Sequence, residues 1–237
     1  MPLLKLEHVS KHHNQHITLN NMSLVIETRE MVTIYGERRS GRSTLLRVAS
    51  GIETLDKGDK GVVRFDGADL APYRGQVRAG ISYCRTTFRR DRGPTVLDQL
   101  IAGQLSRRVA RPVALPCALQ ALERVAAERC GVFRITELRA EETIRVAIAR
   151  SLTADPSLLI VDEPTLGLDP AERDGILELL RSIADEGVSI LTSTGTGTDF
   201  LGSDRVLSLG KGRLRGELVP ELAQVTDLSH HRRQTAG

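Results

Sequence analysis

Apolar residues recur at alternate positions from Leu3 to Val9 and again from Met22 to Ile26, the spacing of half-buried strands. The polar stretch Lys11 to His16 is expected to connect them. Met31 to Tyr35 is a short β-prone run that ends at Gly36, and a helix is expected over Ser43 to Ala49 with Gly51 as its stop signal. Val62 to Phe65 leads into Asp66-Gly67, a strand running into a turn. From Thr95 to Arg150 the pattern turns helical, with breaks expected at Arg111-Pro112 and Leu115-Pro116. Ser157 to Val161 is uninterrupted apolar sequence, as a strand covered on both faces requires. A helix over Glu172 to Glu186, a strand over Val188 to Thr192 and a strand pair between Arg205 and Leu218 complete an α/β order. The final HHRRQTAG is polar and is expected to fray.

Composition narrows this picture only a little. The chain has 237 residues, 40% hydrophobic and 27% charged, as in ordinary globular proteins. A formal charge of +3 is too small to argue for nucleic acid, and no nucleic-acid partner is expected. Three scattered cysteines, Cys84, Cys117 and Cys130, lack metal or redox spacing, which suits a reducing compartment. The opening MPLLKLEHVS has no signal-peptide pattern, and no segment reaches the roughly 18 to 20 apolar residues that span a bilayer. Any membrane-spanning part of its working assembly is therefore expected on another chain. The cluster His12, His13 and His16 reads as a solvated loop rather than a metal site, because no acidic or cysteine partner accompanies it in sequence.

Chemistry concentrates at two places. Gly36-Glu-Arg-Arg-Ser-Gly41-Arg42-Ser43-Thr44 lies between a strand and a helix and fits the P-loop pattern everywhere except at the lysine, which is Arg42. Such glycines let backbone amides turn toward phosphate, and the helix N-terminus adds partial positive charge. Ser43 is placed to meet Mg2+. Arg42 keeps the charge, but its planar fork is no equivalent of a flexible ammonium, and only five lysines occur in the chain. The second place is Ser157-Leu-Leu-Ile-Val161-Asp162-Glu163-Pro164, an apolar strand ending in two carboxylates, which reads as a Walker B site. There Asp162 would hold Mg2+ and Glu163 would polarise an attacking water.

With these motifs the chain resembles the ATP-binding subunits of ABC transporters over nearly its whole length. Leu138-Arg-Ala-Glu-Glu142 stands where that family carries its L-S-G-G-Q signature, followed by the family-like Arg145-Val-Ala-Ile-Ala-Arg150. Thr165-Leu-Gly-Leu-Asp169 resembles the D-loop, and Asp204-Arg-Val206 with Gly210-Lys-Gly-Arg-Leu214 resembles the closing strands. The resemblance implies a P-loop NTPase (RecA-like) α/β core with an antiparallel β subdomain and an inserted helical signature subdomain. In this division 1–94 and 151–220 form the core with the β subdomain, 95–150 the helical subdomain, and 221–237 a tail. It further implies ATP and Mg2+ as ligands and Gly36, Ser40, Gly41, Arg42, Ser43 and Thr44 as phosphate-side residues, with His13 as stand-in for the family's adenine-stacking aromatic. Ser43 and Asp162 would serve the metal and Glu163 the hydrolysis of ATP to ADP and phosphate. The implied partners are permease subunits on separate chains and a second ABC ATPase subunit, identical or different, at the cytoplasmic face of the membrane.

Departures from the family pattern are as ordered as the matches. Thr86 replaces the Q-loop glutamine, Gly195 the switch histidine and Arg39 one of the P-loop glycines. In the signature, Glu141 and Glu142 would face a triphosphate, and two unit charges about 4 Å apart repel by about 4 kcal/mol at an effective dielectric near 20. Phe88, among Arg89, Arg90 and Arg92, is the expected anchor toward a membrane partner. In a self-paired dimer, Arg38, Arg39 and Arg42 are expected to meet Glu141 and Glu142. The expectation is a subunit that binds ATP weakly and hydrolyses it slowly or not at all. A non-catalytic scaffold of the same fold and an active ATPase using Arg42 as the family uses lysine stay open as alternatives.

Overall fold

The computed structural model describes residues 2–13, 16–71, 78–85 and 95–218. The expected Q-loop Thr86, the anchor Phe88 with its arginines, and the 221–237 tail lie outside the described residues. Two sheets carry the described residues. The first is antiparallel and pairs β2 (His16–Ile26), β1 (Leu4–His13), β4 (Lys60–Phe65) and β5 (Ala68–Asp69) in that order. The second has the order β10 (Arg213–Leu218), β9 (Arg205–Gly210), β3 (Met31–Tyr35), β8 (Ser189–Thr194), β7 (Leu158–Asp162) and β6 (Ile81–Cys84). All its neighbours are parallel except the β9–β10 hairpin.

Lys11 to His13 and His16 are strand residues, not the expected loop. β1 and β2 pair as far as His13 opposite His16, with irregular register at Val9, Lys11 and His12. The long hairpin supplies backbone partners that the polar side chains do not advertise. The Asp66-Gly67 turn is as expected, with φ of 48° and 71°.

Helix α1 (Arg42–Ala49) follows β3 and packs on one face of the second sheet. On the other face lie α2 (Val96–Ser106), α3 (Arg111–Arg124), α4 (Ala140–Leu152) and α5 (Pro170–Asp185). Pro112 sits in the first turn of α3, so the break at Arg111-Pro112 is real. The expected break at Leu115-Pro116 is absent, and α3 continues through Pro116. So close to the helix start, proline displaces only one early backbone bond.

The central strands are buried on both sides and feed two cores. In β7, Leu158 and Ile160 join α1 and the antiparallel sheet, while Leu159 and Val161 join the helices on the opposite face. Among the described residues, no helix is long and apolar enough to cross a membrane.

Candidate functional site

The parallel strands β3, β8 and β7 end on one edge, and the P-loop, Gly195 and the Asp162-Glu163 pair lie at those carboxyl ends. Ligands of open α/β sheets bind at that edge. The loop after β3 is fixed by its backbone. The Gly36 amide donates to the Thr194 carbonyl (3.1 Å), the Ser40 amide to Glu37 (3.1 Å), and Gly212 of the β9–β10 turn to the Ser40 carbonyl (3.0 Å). Gly41 caps α1 at φ 107°, and a Cβ there would sit 2.7 Å from the Thr18 carbonyl, so this close approach needs glycine. Lys211, remote in sequence, is the neighbour of Gly212 and so its backbone comes beside the loop.

Arg39, in place of a family glycine, takes φ 65°. The loop therefore keeps the left-handed turn at that residue although its side chain disfavours it. Arg42, the first residue of α1, is 7% exposed and donates through Nη2 to Glu163 Oε1 as a charge-assisted pair. Its Nη1 and the buried Ser40 Oγ have no hydrogen-bond partner. Two orphaned polar atoms in one loop fit an oxygen-rich anion there. The Thr44 hydroxyl instead accepts from Arg47 (3.3 Å).

Asp162 and Glu163 end β7 as expected. Asp162 accepts from Ser193 Oγ (2.6 Å) and from the Tyr83 hydroxyl (3.3 Å), and Ser193 Oγ accepts from the Glu163 amide (3.1 Å). Burial, reinforced by the neighbouring Asp162 charge, pushes the Tyr83 hydroxyl well above the usual tyrosine range. Glu163 takes φ 48°, a strained conformation for a non-glycine residue at a strand end. Ser43 and Asp162 offer hard oxygen donors on neighbouring elements, which fits Mg2+. Ser193 and Tyr83 are invisible to motif reading, because neither holds a fixed place in the motifs that spacing defines.

His13 ends β1, exposed, with Nε2 3.6 Å from Glu53. Its neighbours are acidic after all. Lys11, 3% exposed, contacts Asp56 (2.6 Å) and Asp59 (2.8 Å), and His12 Nδ1 lies 3.1 Å from Asp59. These carboxylates come from sequence 40 residues or more away, which is why the local reading of the histidines missed them.

The signature segment changes most against expectation. Arg139 caps α4; its amide donates to Glu142 (3.0 Å), whose carboxylate also contacts Arg129 (3.0 Å) and the Arg139 side chain (3.2 Å). Glu141 pairs with Arg145 at 2.7 Å. Both carboxylates are thus engaged within the chain, as Arg42 is by Glu163. The expected self-dimer pairing of Arg42 with these glutamates would have to break contacts already made.

A family model described as "ABC transporter" matches residues 19–166, more than half of the chain. The chain belongs to the ABC transporter family. This ABC domain is 31% identical over 224 residues to the lipoprotein-releasing system ATP-binding protein LolD of Myxococcus xanthus, covering 90% of this chain and 99% of that protein. It is 28% identical over 225 residues to the glutamate transport ATP-binding protein GluA of Corynebacterium efficiens, covering 92% and 91%. In fold it is similar to a nucleotide-free ATP-binding cassette from an ABC transporter, with a TM-score of 0.80 at 21% identity over 92% of this chain and 91% of that one. A dimeric cassette bound to ADP and Pi gives a TM-score of 0.78 at 24% identity, covering 91% and 97%. The chain is an ABC nucleotide-binding domain with the P-loop NTPase fold.

Proposed function

We propose that this chain is the nucleotide-binding subunit of an ABC transporter complex that binds ATP weakly and hydrolyses it slowly on its own. It couples instead to permease subunits on separate chains, beside a second ABC subunit at the cytoplasmic membrane face. The observation that carries the reading is the Arg42–Glu163 pair. The loop cation that should meet the outer phosphates and the carboxylate that should orient water hold each other.

Gly36, Ser40, Gly41, Arg42 and Ser43 form the phosphate side, with Arg42 Nη1 and Ser40 Oγ free to donate. Ser43 and Asp162 would hold Mg2+, whose charge would offset that of the phosphates. Phosphate has to compete with Glu163 for Arg42, which weakens binding. Glu163 gives up a lone pair to the guanidinium, which weakens its hold on water. His13, beside Glu53 and exposed, offers a smaller platform than a tyrosine for adenine.

The test is equilibrium binding and phosphate release with Mg2+ and ATP, with and without the permease. Saturable micromolar binding with slow release supports the proposal. No detectable binding at millimolar ATP replaces it with a non-catalytic scaffold of the same fold.

A further inference from the structure

Gly195 stands directly after the last residue of β8, at the edge where the site is built. It is not among the glycines with positive φ, so its backbone conformation does not itself require glycine. What it lacks is a side chain, and the end of Arg42 closely borders that space. A Cβ on Gly195 would lie 3.0 Å from Arg42 Nη1, 3.4 Å from Nη2 and 3.6 Å from Cζ. The arginine guanidinium therefore lies in tight contact with the place where a side chain at 195 would begin. Its Nη2 reaches Glu163 from that seat, and Nη1 remains buried without a partner.

We propose that Gly195 is the positioning residue for Arg42, the two forming a matched pair in which the missing side chain at 195 makes the seat that a P-loop arginine needs. A lysine at 42 is narrower and lacks the fork, so it would not need this seat. A larger residue at 195 would push the guanidinium off the Glu163 carboxylate and turn Nη1 away from the loop. The seat itself is a property of the nucleotide-free chain; only its effect on affinity rests on the function proposed above.

A double-mutant cycle tests it with Gly195→His, Arg42→Lys and their combination, compared with wild type by urea denaturation of the nucleotide-free protein and by Mg2+-ATP titration. Gly195→His is expected to lower the denaturation midpoint in wild type but to leave it nearly unchanged in the Arg42→Lys background. It should also weaken ATP binding by about tenfold in wild type and by less than about threefold beside Arg42→Lys. Equal effects of Gly195→His in both backgrounds on the denaturation midpoint would overturn the pairing. Gly195→Ala, whose single methyl meets only the end of the arginine, repeats the cycle if the histidine variant does not fold, with smaller effects and the same dependence on residue 42. If none of the proteins binds ATP, the functional reading fails while the denaturation cycle still decides the pairing.

Discussion

Arg42 donates to Glu163 across 121 residues of sequence, joining the first turn of α1 to the end of β7 with the arginine buried and the glutamate half-buried. The pair neutralises two charges that the proposed phosphate chemistry would use separately. A buried cation that loses such a partner is destabilised unless another anion takes its place. Under the proposed function, the alternative anion is phosphate.

Glu163→Gln removes the competing charge and leaves Arg42 to the ligand. Its affinity for Mg2+-ATP is expected to rise by roughly threefold or more, with no gain in phosphate release. Titration with a fluorescent ATP analogue reads the first and a coupled phosphate assay the second. Weaker binding in this variant would mean that the pair supports the nucleotide rather than competing with it.

Arg39 holds a left-handed backbone conformation at φ 65°. Arg39→Gly relieves that conformation and should stabilise the chain by up to about 1 kcal/mol, after allowing for the added freedom of glycine when unfolded. Urea denaturation measures it. A loss of stability would show that the arginine side chain makes contacts worth more than the backbone cost.

Ser193 holds Asp162 with its hydroxyl and accepts from the Glu163 amide. Ser193→Ala leaves both without that partner, which should cost about 1–3 kcal/mol in stability. Because Asp162 then loses its orientation, the Mg2+-dependent part of ATP affinity should fall while any Mg2+-independent part stays. Unchanged Mg2+ dependence would remove Asp162 from the metal site.

How much of this was legible in sequence differs by residue. Gly36, Gly41, Ser43, Asp162 and Glu163 were found because spacing between a strand and a helix fixes them. The Glu141–Arg145 pair was not drawn from sequence, where Glu141 was expected to face a triphosphate, although helical neighbours at i and i+4 meet. Arg42–Glu163, Ser193–Asp162 and Lys11–Asp59 were not legible, because each depends on which strands lie side by side. The extension of the hairpin to His13 was not legible either, because the cross-strand backbone pairing that extends β1 and β2 leaves no trace in side-chain polarity.

The Lys11–Asp59 cluster gives a pH prediction. For Asp59, burial alone would raise the carboxyl, but hydrogen bonds from Lys11 and from the Asp56 and His12 amides outweigh it and hold the group well below the usual carboxylate range. For Lys11, burial opposes the charge and the two aspartates outweigh it, so the ammonium is raised. The Asp59 contribution is therefore complete above its unfolded value near 3.8 and is lost as pH falls through its lower folded value. Between about pH 7 and about pH 3, wild type should lose more stability than Asp59→Asn. Parallel acid profiles of the two proteins would contradict this.

The most direct measurement is binding and turnover of Mg2+-ATP by the purified wild-type chain, set beside Arg42→Lys/Gly195→His. Saturable ATP binding to wild type is expected in the micromolar range, with phosphate release at least about tenfold slower than in the double variant. Wild-type release as fast as that of the double variant, or no binding at millimolar ATP, would contradict it.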